Sequence, residues 1–365
     1  MASAVEDLES DFAALHRFAG AVAVGFGRAA LRLALEAVEV RGSDVLVPDF
    51  VCDQVPEAVR RAGGRPVAYE ITEDLGVLPD AFRAALTPAT RGAIAVHYFG
   101  RPLPSIGTLA QICRERRVPL IEDCALALGA EDIGANSSAS VFSLTKSDWC
   151  HGGGLLTSRS PELLARARDI RESSFQPAPG LALCYGLVRR ADFLANRPAR
   201  SRGAEVAGRA LETLSRFPEE SFYDAGRFDT VLPGFAARRA RRLLAELPSA
   251  NARRRRIVDE ICDSLGTARR VLFRPDACPK DCCSFLLLKC EAGNAHSWRE
   301  QAARDGVTLR LCWPAYQDEE TAHASPTLEW LAAHLLLMEV HPNMAGREVQ
   351  RIVRCLRTLA EAQPV

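Results

Sequence analysis

The chain has 365 residues, of which 48% are hydrophobic, and its 46 basic residues balance 46 acidic ones. A chain of this length buries a large core and has material for two or three domains. A net charge of zero argues against a protein that is drawn to nucleic acid or to an anionic membrane by a global positive field. The arginine clusters at 238–242 and 253–256 lie in helical patterns, where a solvated helix face or a subunit contact is the favoured interpretation.

The sequence predicts a cytoplasmic protein without a membrane anchor. The first residues, MASAVEDLESDF, are acidic and polar and lack the basic and then apolar segments of a secretory signal. No apolar run approaches the length of about 18 residues that a membrane span needs. The twelve cysteines are therefore expected to be reduced thiols. The cluster CPKDCC at 278–283 lacks a second pair or a histidine at ligand spacing, so no metal site is expected there.

Short apolar runs alternate with helical patterns in the first part of the chain. Helical spacing of apolar residues is found between the runs, as at 28–40 and 105–117. Apolar runs separated by helices are typical of a mostly parallel sheet covered on both faces, so the predicted fold class is α/β. In such sheets ligands bind beyond the carboxyl ends of the strands. The predicted strands are 21–26, 44–50, 66–71, 92–100, 118–123, 140–144 and 153–158.

The alternation breaks at 175–235, which mixes Pro, Arg and helical pieces. We interpret this segment as an irregular excursion of a large α/β domain at 1–235. A long helical pattern begins at about 234, and two further strands with helices between and after them predict a smaller α+β domain at 236–365. The predicted elements of that domain are strands at 282–290 and 307–314 and helices near 297–306 and at 346–362.

Lys146 draws attention because the chain has only two other lysines, Lys280 and Lys289. Arginine cannot be deprotonated in a protein and so cannot serve as an amine nucleophile, whereas lysine can. Lys146 lies between a predicted strand and three glycines at 152–154. In a desolvated pocket a lysine is the type of amine that condenses with an aldehyde. The alternative is a surface cation without a chemical role.

Five segments follow one another along the first 158 residues: GRAALRLAL, VLVPDFVCDQVPEAVRRAGGRPVAYEI, AIAVHYFGRPLP, VPLIEDCALALGA and FSLTKSDWCHGGGLLTS. This combination resembles the DegT/StrS sugar aminotransferases, which are pyridoxal-phosphate (PLP) enzymes of the aspartate-aminotransferase fold, known as fold type I. The likeness extends to the C-terminal stretch around LRLCWPAYQDEE and fits worst at 175–235.

The resemblance implies that Lys146 holds PLP as a Schiff base and that Asp123 pairs with the pyridinium nitrogen. Such a carboxylate keeps the ring nitrogen protonated and lets the ring act as an electron sink. The alternative for Asp123 is a helix N-cap. The aromatic residue that stacks on the ring in this family falls at Cys52, although Phe50 could reach the same space.

The same resemblance places the cofactor phosphate at the start of a helix, where backbone N–H groups bind anions. Gly27 and Arg28 match the family's glycine and hydroxyl residue, so the hydroxyl is missing and Arg28 either substitutes with charge or points away. Ser143 is expected to bind the phosphate, with Ser140 as a competitor. The glycines at 152–154 let the backbone pass close to the cofactor or to a facing subunit.

Other positions depart from the family pattern. A glutamine that contacts the cofactor's phenolic oxygen is replaced by Leu126, and an asparagine that reaches the other subunit's phosphate has no clear match in GRFDTVLPGF, 226–235. His97 is either near the ring or a satisfied core histidine. His151 is a weaker candidate for an acid or base.

The resemblance therefore predicts a homodimeric PLP-dependent aminotransferase. It would move an amino group from an amino acid, glutamate or glutamine, to a keto-sugar or cyclitol-like acceptor in a biosynthetic pathway, with Lys146 as the base. Dehydratase relatives carry histidine at the lysine position, so Lys146 favours transfer. Two alternatives stay open: a PLP enzyme of other chemistry, such as elimination, and a catalytically silent homologue that acts as a binding protein.

Overall fold

The computed structural model describes residues 3–146, 152–177, 228–273, 280–290, 295–313 and 325–362. A seven-stranded sheet, a three-stranded sheet, a short two-stranded sheet and the helices around them make up this part of the chain. The helices are α1 (Ala4–His16), α2 (Gly27–Ala37), α3 (Gln54–Arg61), α4 (Pro79–Ala85), α5 (Ile106–Arg116), α6 (Pro161–Ser174), α7 (Gly234–Leu265), α8 (Ala295–Arg304), α9 (Pro326–His334) and α10 (Gly346–Glu361), with 3-10 turns at Tyr98–Gly100 and Gly266–Val271. The strands are β1 (Gly20–Val24), β2 (Asp44–Pro48), β3 (Arg65–Tyr69), β4 (Thr90–Val96), β5 (Leu120–Asp123), β6 (Ala139–Ser143), β7 (Gly154–Ser158), β8 (Gln176–Pro177), β9 (Thr230–Val231), β10 (Phe285–Lys289), β11 (Arg310–Leu311) and β12 (Leu335–Glu339).

The larger sheet has seven strands in the order β1-β7-β6-β5-β4-β2-β3. Strands β2 to β6 pair in parallel, whereas β7 is antiparallel to both β1 and β6. All seven apolar runs form strands, which confirms the predicted α/β fold class. Because β1 and β6 both run opposite to β7, the carboxyl ends of β1, β2, β4, β5 and β6 meet at one edge of the sheet.

Both faces of this sheet are buried, which explains why its strands are apolar throughout. Neighbouring residues on one strand point to opposite faces, and on β6 Val141 joins the core under α2 and α6, whereas Phe142 joins the core under α1 and α7. The same alternation holds for Leu156 and Leu155 on β7. Every residue of β6 and β7 is buried. A strand covered on both sides has no solvent face, so its sequence shows no polar alternation.

The smaller sheet is antiparallel and has the order β10-β12-β11. Its core includes Ile261 of α7, Trp298 of α8 and Leu356 of α10. The α+β character of this part agrees with the prediction, but the number of strands was wrong, because β12 was not predicted. The apolar run of β12 begins at Leu335, directly after the last residue of α9, so no turn residue separates helix from strand in the sequence.

The long helix α7 connects the two sheets. Its first half packs Ala237 and Leu244 under the larger sheet, and its second half packs Val258 and Ile261 under the smaller one. The predicted domain boundary at 235/236 falls at the start of this shared helix and stays a prediction. Of the excursion at 175–235, residues 178–227 lie outside the described part of the chain, and its two ends pair as the short strands β8 and β9.

No helix within the described ranges combines the length and the apolar character that crossing a membrane requires.

Candidate active site

Asp123 and Lys146 lie at the carboxyl ends of the neighbouring strands β5 and β6. Asp123 is the last residue of β5, and Lys146 follows the end of β6 at Ser143. The Lys146 side chain is exposed, and its positive charge acts on both the Asp123 carboxyl and the Cys52 thiol. The parallel sheet therefore brings together the three residues that the sequence placed around a cofactor ring.

The Asp123 carboxylate is buried and accepts a hydrogen bond from the Ala125 N–H at 2.9 Å. Burial raises the pKa of Asp123, opposed by the Ala125 N–H and by the charge of Lys146. The residues that follow Asp123 form turns, so the structure does not support the helix N-cap alternative. A buried carboxylate with so few hydrogen bonds is stabilised by a cation placed against it, which is the chemistry of a protonated ring nitrogen.

Helix α2 begins at this edge of the sheet and provides a place for an anion. Its first residue, Gly27, follows the N-cap residue Phe26, whose extended backbone precedes a helix start without a side-chain cap. A Cβ on Gly27 would lie 3.0 Å from the Ser143 Cβ and 3.3 Å from its Oγ. The hydroxyl oxygens of Ser143 and Thr145 are 3.0 Å apart. Backbone N–H groups of a first helical turn and nearby hydroxyls are the donors that bind phosphate.

Ser140, the competitor of Ser143, is engaged elsewhere. Its hydroxyl donates to the Gly134 carbonyl at 3.0 Å and contacts the Ser137 hydroxyl. Because successive residues of β6 point to opposite faces, Ser140 and Ser143 lie on opposite sides of the sheet. The structure therefore favours Ser143 as the hydroxyl beside α2.

Arg28 directs its guanidinium to helix α3. Its Nη1 donates to Gln54 Oε1 at 2.6 Å, and the guanidinium carbon stands 5.8 Å from the centre of the Phe228 ring. These contacts fit the interpretation in which Arg28 does not replace the missing hydroxyl by a direct charge. A role of Arg28 in phosphate binding stays a prediction.

Cys52 and Phe50 were alternatives for the residue against the ring. The Cys52 thiol is half-buried and donates to Asp53 Oδ1 at 3.3 Å. Burial raises the pKa of Cys52 to about 11, and the charge of Lys146 opposes this rise. Phe50 is fully buried, with its ring centre 5.5 Å from that of Trp313 and 6.2 Å from that of Tyr98. Of Cys52 and Phe50, Cys52 is therefore the residue near Lys146. Its thiol is neutral at neutral pH.

His97 is a satisfied core histidine and not a residue of the candidate site. The Leu103 N–H donates to its Nδ1 at 2.9 Å, so the proton is on Nε2, which donates to Glu122 Oε2 at 2.8 Å. Glu122 also accepts from the N–H groups of Gly134 at 2.6 Å and Asn136 at 3.0 Å. Both His97 and Glu122 are completely buried. This network ties the loops behind β5 together on the face opposite to Asp123.

The same network brings three potential metal ligands, His97, Glu122 and Cys124, within 4.8 Å of one another. The tautomer argues against a metal, because a histidine ligand needs a lone pair on the nitrogen that faces the ion, and here Nε2 carries the proton. The Cys124 S–H is directed to the Glu122 carbonyl at 3.8 Å, and burial raises the pKa of this thiol. The cluster is explained by its own hydrogen bonds.

Glycines let β7 enter the sheet close to the turn between β1 and α2. The Gly153 N–H donates to the Gly25 carbonyl at 2.6 Å, and Gly153 has φ of 118°. A Cβ on Gly154 would lie 2.1 Å from the Phe26 carbonyl oxygen, which no side chain allows. The tight approach predicted for the glycines is therefore made to the turn that begins α2. His151 lies outside the described residues.

Two further residues of this region were not identified from the sequence. Thr145 immediately precedes Lys146, and its hydroxyl could have been noticed from that position alone. Glu122 precedes Asp123, but its importance arises from contacts with His97 and with a distant loop, for which the sequence carries no local signal. Leu126, in place of the family's glutamine, is half-buried on the turn after Asp123, where it adds no polar side chain.

Comparisons with known proteins bear on the family and the fold of this chain. The model of the DegT/DnrJ/EryC1/StrS aminotransferase family matches residues 1–181. Solved structures with the same fold include DesV from S. venezuelae, at 23% identity and a TM-score of 0.76 over 100% of this chain and 91% of DesV. NtdA from Bacillus subtilis, with bound cofactor PMP, matches at 15% identity and a TM-score of 0.73 over 99% of this chain and 78% of NtdA. Helicobacter pylori PseC, an aminotransferase involved in the biosynthesis of pseudoaminic acid, matches at 13% identity and a TM-score of 0.75 over 100% and 92% of the two chains. Likeness at these identities shows the fold.

Proposed function

We propose, since this chain belongs to the DegT/DnrJ/EryC1/StrS family of PLP-dependent aminotransferases, that it transfers an amino group from an amino acid to a keto-sugar or cyclitol-like acceptor. Glutamate or glutamine is the proposed donor. The observation that carries the proposal is the convergence of Lys146 and Asp123 at one sheet edge beside the start of α2.

The residues present fit PLP. Lys146 offers the amine that would hold the cofactor's aldehyde, and the buried Asp123 carboxylate offers a counter-charge for the ring nitrogen. The start of α2 and the hydroxyls of Ser143 and Thr145 offer donors for the phosphate. When bound, PLP supplies an electron sink that stabilises negative charge at the substrate carbon. The Cys52 thiol would lie against the ring with less contact area than an aromatic side chain.

The chain's own groups then have separate tasks. The Nζ of Lys146, exposed at the strand edge, would take the proton from the Cα of the amino acid once the substrate amine has displaced it. The Asp123 carboxylate would keep a positive charge in place at the end of β5. Ser143 and Thr145 would fix the phosphate and so the distance between Nζ and Cα.

The acceptor class is supported by relatives of the same fold. PseC is described by its part in pseudoaminic acid biosynthesis, and the family as a whole is one of sugar aminotransferases. Leu126 and Cys52 replace a polar and an aromatic residue, so the pocket of this chain is less polar near the ring. These differences alter the acceptor that fits and motivate a panel of keto-sugars in the test.

The first test measures the visible absorption of purified protein after addition of PLP. We expect a band that wild type shows, that Lys146→Ala lacks and that Lys280→Ala retains, because Lys280 forms a surface ion pair with Asp132. A wild-type protein that ignores PLP would support a silent homologue. A band that survives in Lys146→Ala would show that another amine holds the cofactor.

The second test identifies the reaction. Glutamate and glutamine are supplied with a panel of nucleotide-linked keto-sugars, free keto-sugars and keto-cyclitols, and the amino product is measured by mass spectrometry. Formation of an amino sugar together with the donor's keto acid supports transfer. Consumption of an amino acid without formation of an aminated acceptor supports the alternative of a PLP enzyme with other chemistry, such as elimination.

The proposed active unit is a homodimer. Isologous pairing is the commonest arrangement of soluble oligomers. Sedimentation of the PLP-loaded protein at micromolar concentration should give twice the mass of the chain. A monomer with full cofactor occupancy would contradict this proposal.

A further inference from the structure

Strand β9 is docked on the turn that leads from β1 into α2. The Gly25 N–H donates to the Thr230 carbonyl at 2.7 Å, and the Gln176 N–H donates to the Asp229 carbonyl at 2.7 Å. The Thr230 hydroxyl lies directly over Gly25, so a Cβ at Gly25 would be 2.2 Å from Thr230 Oγ1. Gly25 precedes the first residue of α2 by two positions. The hydroxyl is therefore brought from a distant part of the chain to the start of the anion site.

This hydroxyl lacks a hydrogen-bond partner within the described residues. Thr230 is 8% exposed, and its Oγ1 is buried without a donor or acceptor. A buried hydroxyl left unpaired destabilises the folded protein, and buried polar groups in folded proteins nearly always have partners. A valine of the same shape would avoid this cost, so the threonine is better explained by a partner that binds.

The surroundings indicate an anion as that partner. Helix α2 starts without a side-chain cap, and its N-terminal end carries the positive end of the helix dipole. The hydroxyls of Ser143 and Thr145 converge on the same end from β6, whereas the Arg28 guanidinium is bound to Gln54. A phosphate dianion at this position accepts several hydrogen bonds and needs donors on more than one side.

We infer that Thr230 is a phosphate-binding residue of this chain, whose Oγ–H donates to the phosphate group of PLP at the start of α2. The inference rests on the proposed function and extends it by one residue. Thr230 would supply the hydroxyl that position 28 lacks, from a strand that packs on the turn instead of from the helix itself. It would make the site select a phosphorylated ligand over its unphosphorylated form.

The experiment compares the affinity for PLP with the affinity for pyridoxal, which has the same aldehyde and ring but no phosphate. Dissociation constants are measured from the visible absorption of the purified protein for wild type, Thr230→Val and Thr230→Ser. We expect Thr230→Val to bind PLP about tenfold more weakly, the loss expected for one hydrogen bond to a charged group. Its affinity for pyridoxal should not change, and Thr230→Ser should retain most of the affinity for PLP.

Ser105→Ala is the matched control. The Ser105 hydroxyl is likewise buried without a partner within the described residues, but it belongs to the N-cap residue of α5 and not to the turn that begins α2. Its removal should leave both affinities at their wild-type values. Inorganic phosphate should compete with PLP for wild type and compete less well for Thr230→Val.

The outcomes separate this inference from the proposed function. If Thr230→Val binds PLP as wild type does, or loses affinity for PLP and pyridoxal equally, Thr230 has only a structural role and the inference is wrong, while the proposed function stands. If wild type binds neither compound, the proposed function fails and this inference fails with it. If Thr230→Val does not fold, Thr230→Ala removes the same hydroxyl, and the ratio of its affinities for PLP and pyridoxal decides in the same way.

Discussion

Two adjacent carboxylates on β5, Glu122 and Asp123, have opposite electrostatic environments. Burial raises the pKa of Glu122, but the hydrogen bonds from His97, Gly134 and Ser137 outweigh it, so the pKa lies below its usual value. Burial raises the pKa of Asp123, and the Ala125 N–H that donates to it does not compensate. The protein thus supplies Glu122 with enough donors to offset its burial, but not Asp123.

Replacing Glu122 with Gln should destabilise the protein by about 3 kcal/mol. Both carboxylate oxygens of Glu122 accept hydrogen bonds, whereas a glutamine has one accepting oxygen and an NH₂ group that would face a donor. A depressed carboxyl pKa contributes stability that is present above the usual pKa and lost as pH falls through the folded value. The difference in free energy of unfolding between wild type and Glu122→Gln should therefore become smaller at acidic pH. Urea unfolding at pH 7.5 and pH 4 measures it.

The control for this variant is Glu115→Gln. Glu115 is exposed and pairs with Arg83 on the surface, where ion pairs contribute little. Equal losses in the two variants would show that the Glu122 network does not stabilise the fold.

Replacing Asp123 with Asn should separate stability from chemistry. A raised carboxyl pKa means that the ionised form is costly in the folded state at neutral pH, so the cofactor-free variant should unfold at an equal or higher urea concentration than wild type. The variant should lose about 3 kcal/mol of transition-state stabilisation, or roughly a hundredfold in the half-reaction with glutamate. Rates measured at matched PLP occupancy that agree within a few fold would mean that the ring is not placed against Asp123.

At the scale of elements, helix α1 shows what a sequence reading overlooks. Its residues were described only as acidic and polar, although Ser3 and Glu6 form a capping box, a signal with the spacing Ser-x-x-Glu. Its Glu9 is buried and accepts from the Ala23 N–H of β1 at 2.8 Å, beside Arg171 of α6. The capping box could have been read from the sequence, whereas the contact with β1 could not.

The predicted and observed elements differ for physical reasons. Long apolar strands covered on both faces leave a local signal, and all seven of the larger sheet were predicted. The two-residue strands β8 and β9 leave none, because pairing with a distant partner defines them. The proximity of Asp123 and Lys146 could be predicted, because both lie at the carboxyl ends of parallel strands, which meet at one edge of the sheet. Thr230 depends on how a later segment docks on the turn at Gly25, which no local pattern encodes.

His16, at the end of α1, should make the stability of this helix depend on pH. Its ring lies 4.5 Å from that of Phe12 and 5.7 Å from that of Phe142, and burial lowers its pKa from 6.5 to about 4. A base with a depressed pKa is neutral in the folded state, so its contribution is complete above pH 6.5 and is lost as pH falls toward 4.

His16→Leu should therefore remove part of the fall in stability between pH 6.5 and pH 4, which urea unfolding across this range measures. His296→Leu, at an exposed position of α8, is the control and should leave the pH profile unchanged. A profile of His16→Leu that follows wild type would show that the ring is not held among the phenylalanines.

At the scale of the whole molecule, the two sheets are joined at the carboxyl end of β2. Asp49 is buried, with Oδ1 accepting from the Ile71 N–H at 3.2 Å and Oδ2 from the Ser325 hydroxyl at 3.0 Å. Ser325 is also the N-cap of α9, where its oxygen accepts from the Leu328 N–H at 3.1 Å. One hydroxyl thus caps a helix of the C-terminal part and satisfies a carboxylate of the larger sheet.

This double role can be measured against a second serine in the same local sequence. Ser160 and Ser325 are both N-caps followed by proline, but Ser160 does not hold a buried carboxylate; its hydroxyl bonds Glu162 at the surface. Ser160→Ala should lose about 1 kcal/mol for the cap. Ser325→Ala should lose that amount and about 1–3 kcal/mol more, because the Asp49 carboxylate stays buried with one donor fewer.

The pH dependence distinguishes the carboxylate from the cap. Burial already raises the pKa of Asp49, and the Ser325 hydroxyl opposes this rise. Without that hydroxyl the pKa of Asp49 rises further. Because the ionised form is the costly one and falling pH favours the protonated form, the excess loss in Ser325→Ala should be larger at pH 7.5 than at pH 5. The loss in Ser160→Ala should stay constant over this range. Urea unfolding of both variants at the two pH values decides, and equal, pH-independent losses would show that the link between β2 and α9 does not stabilise the molecule.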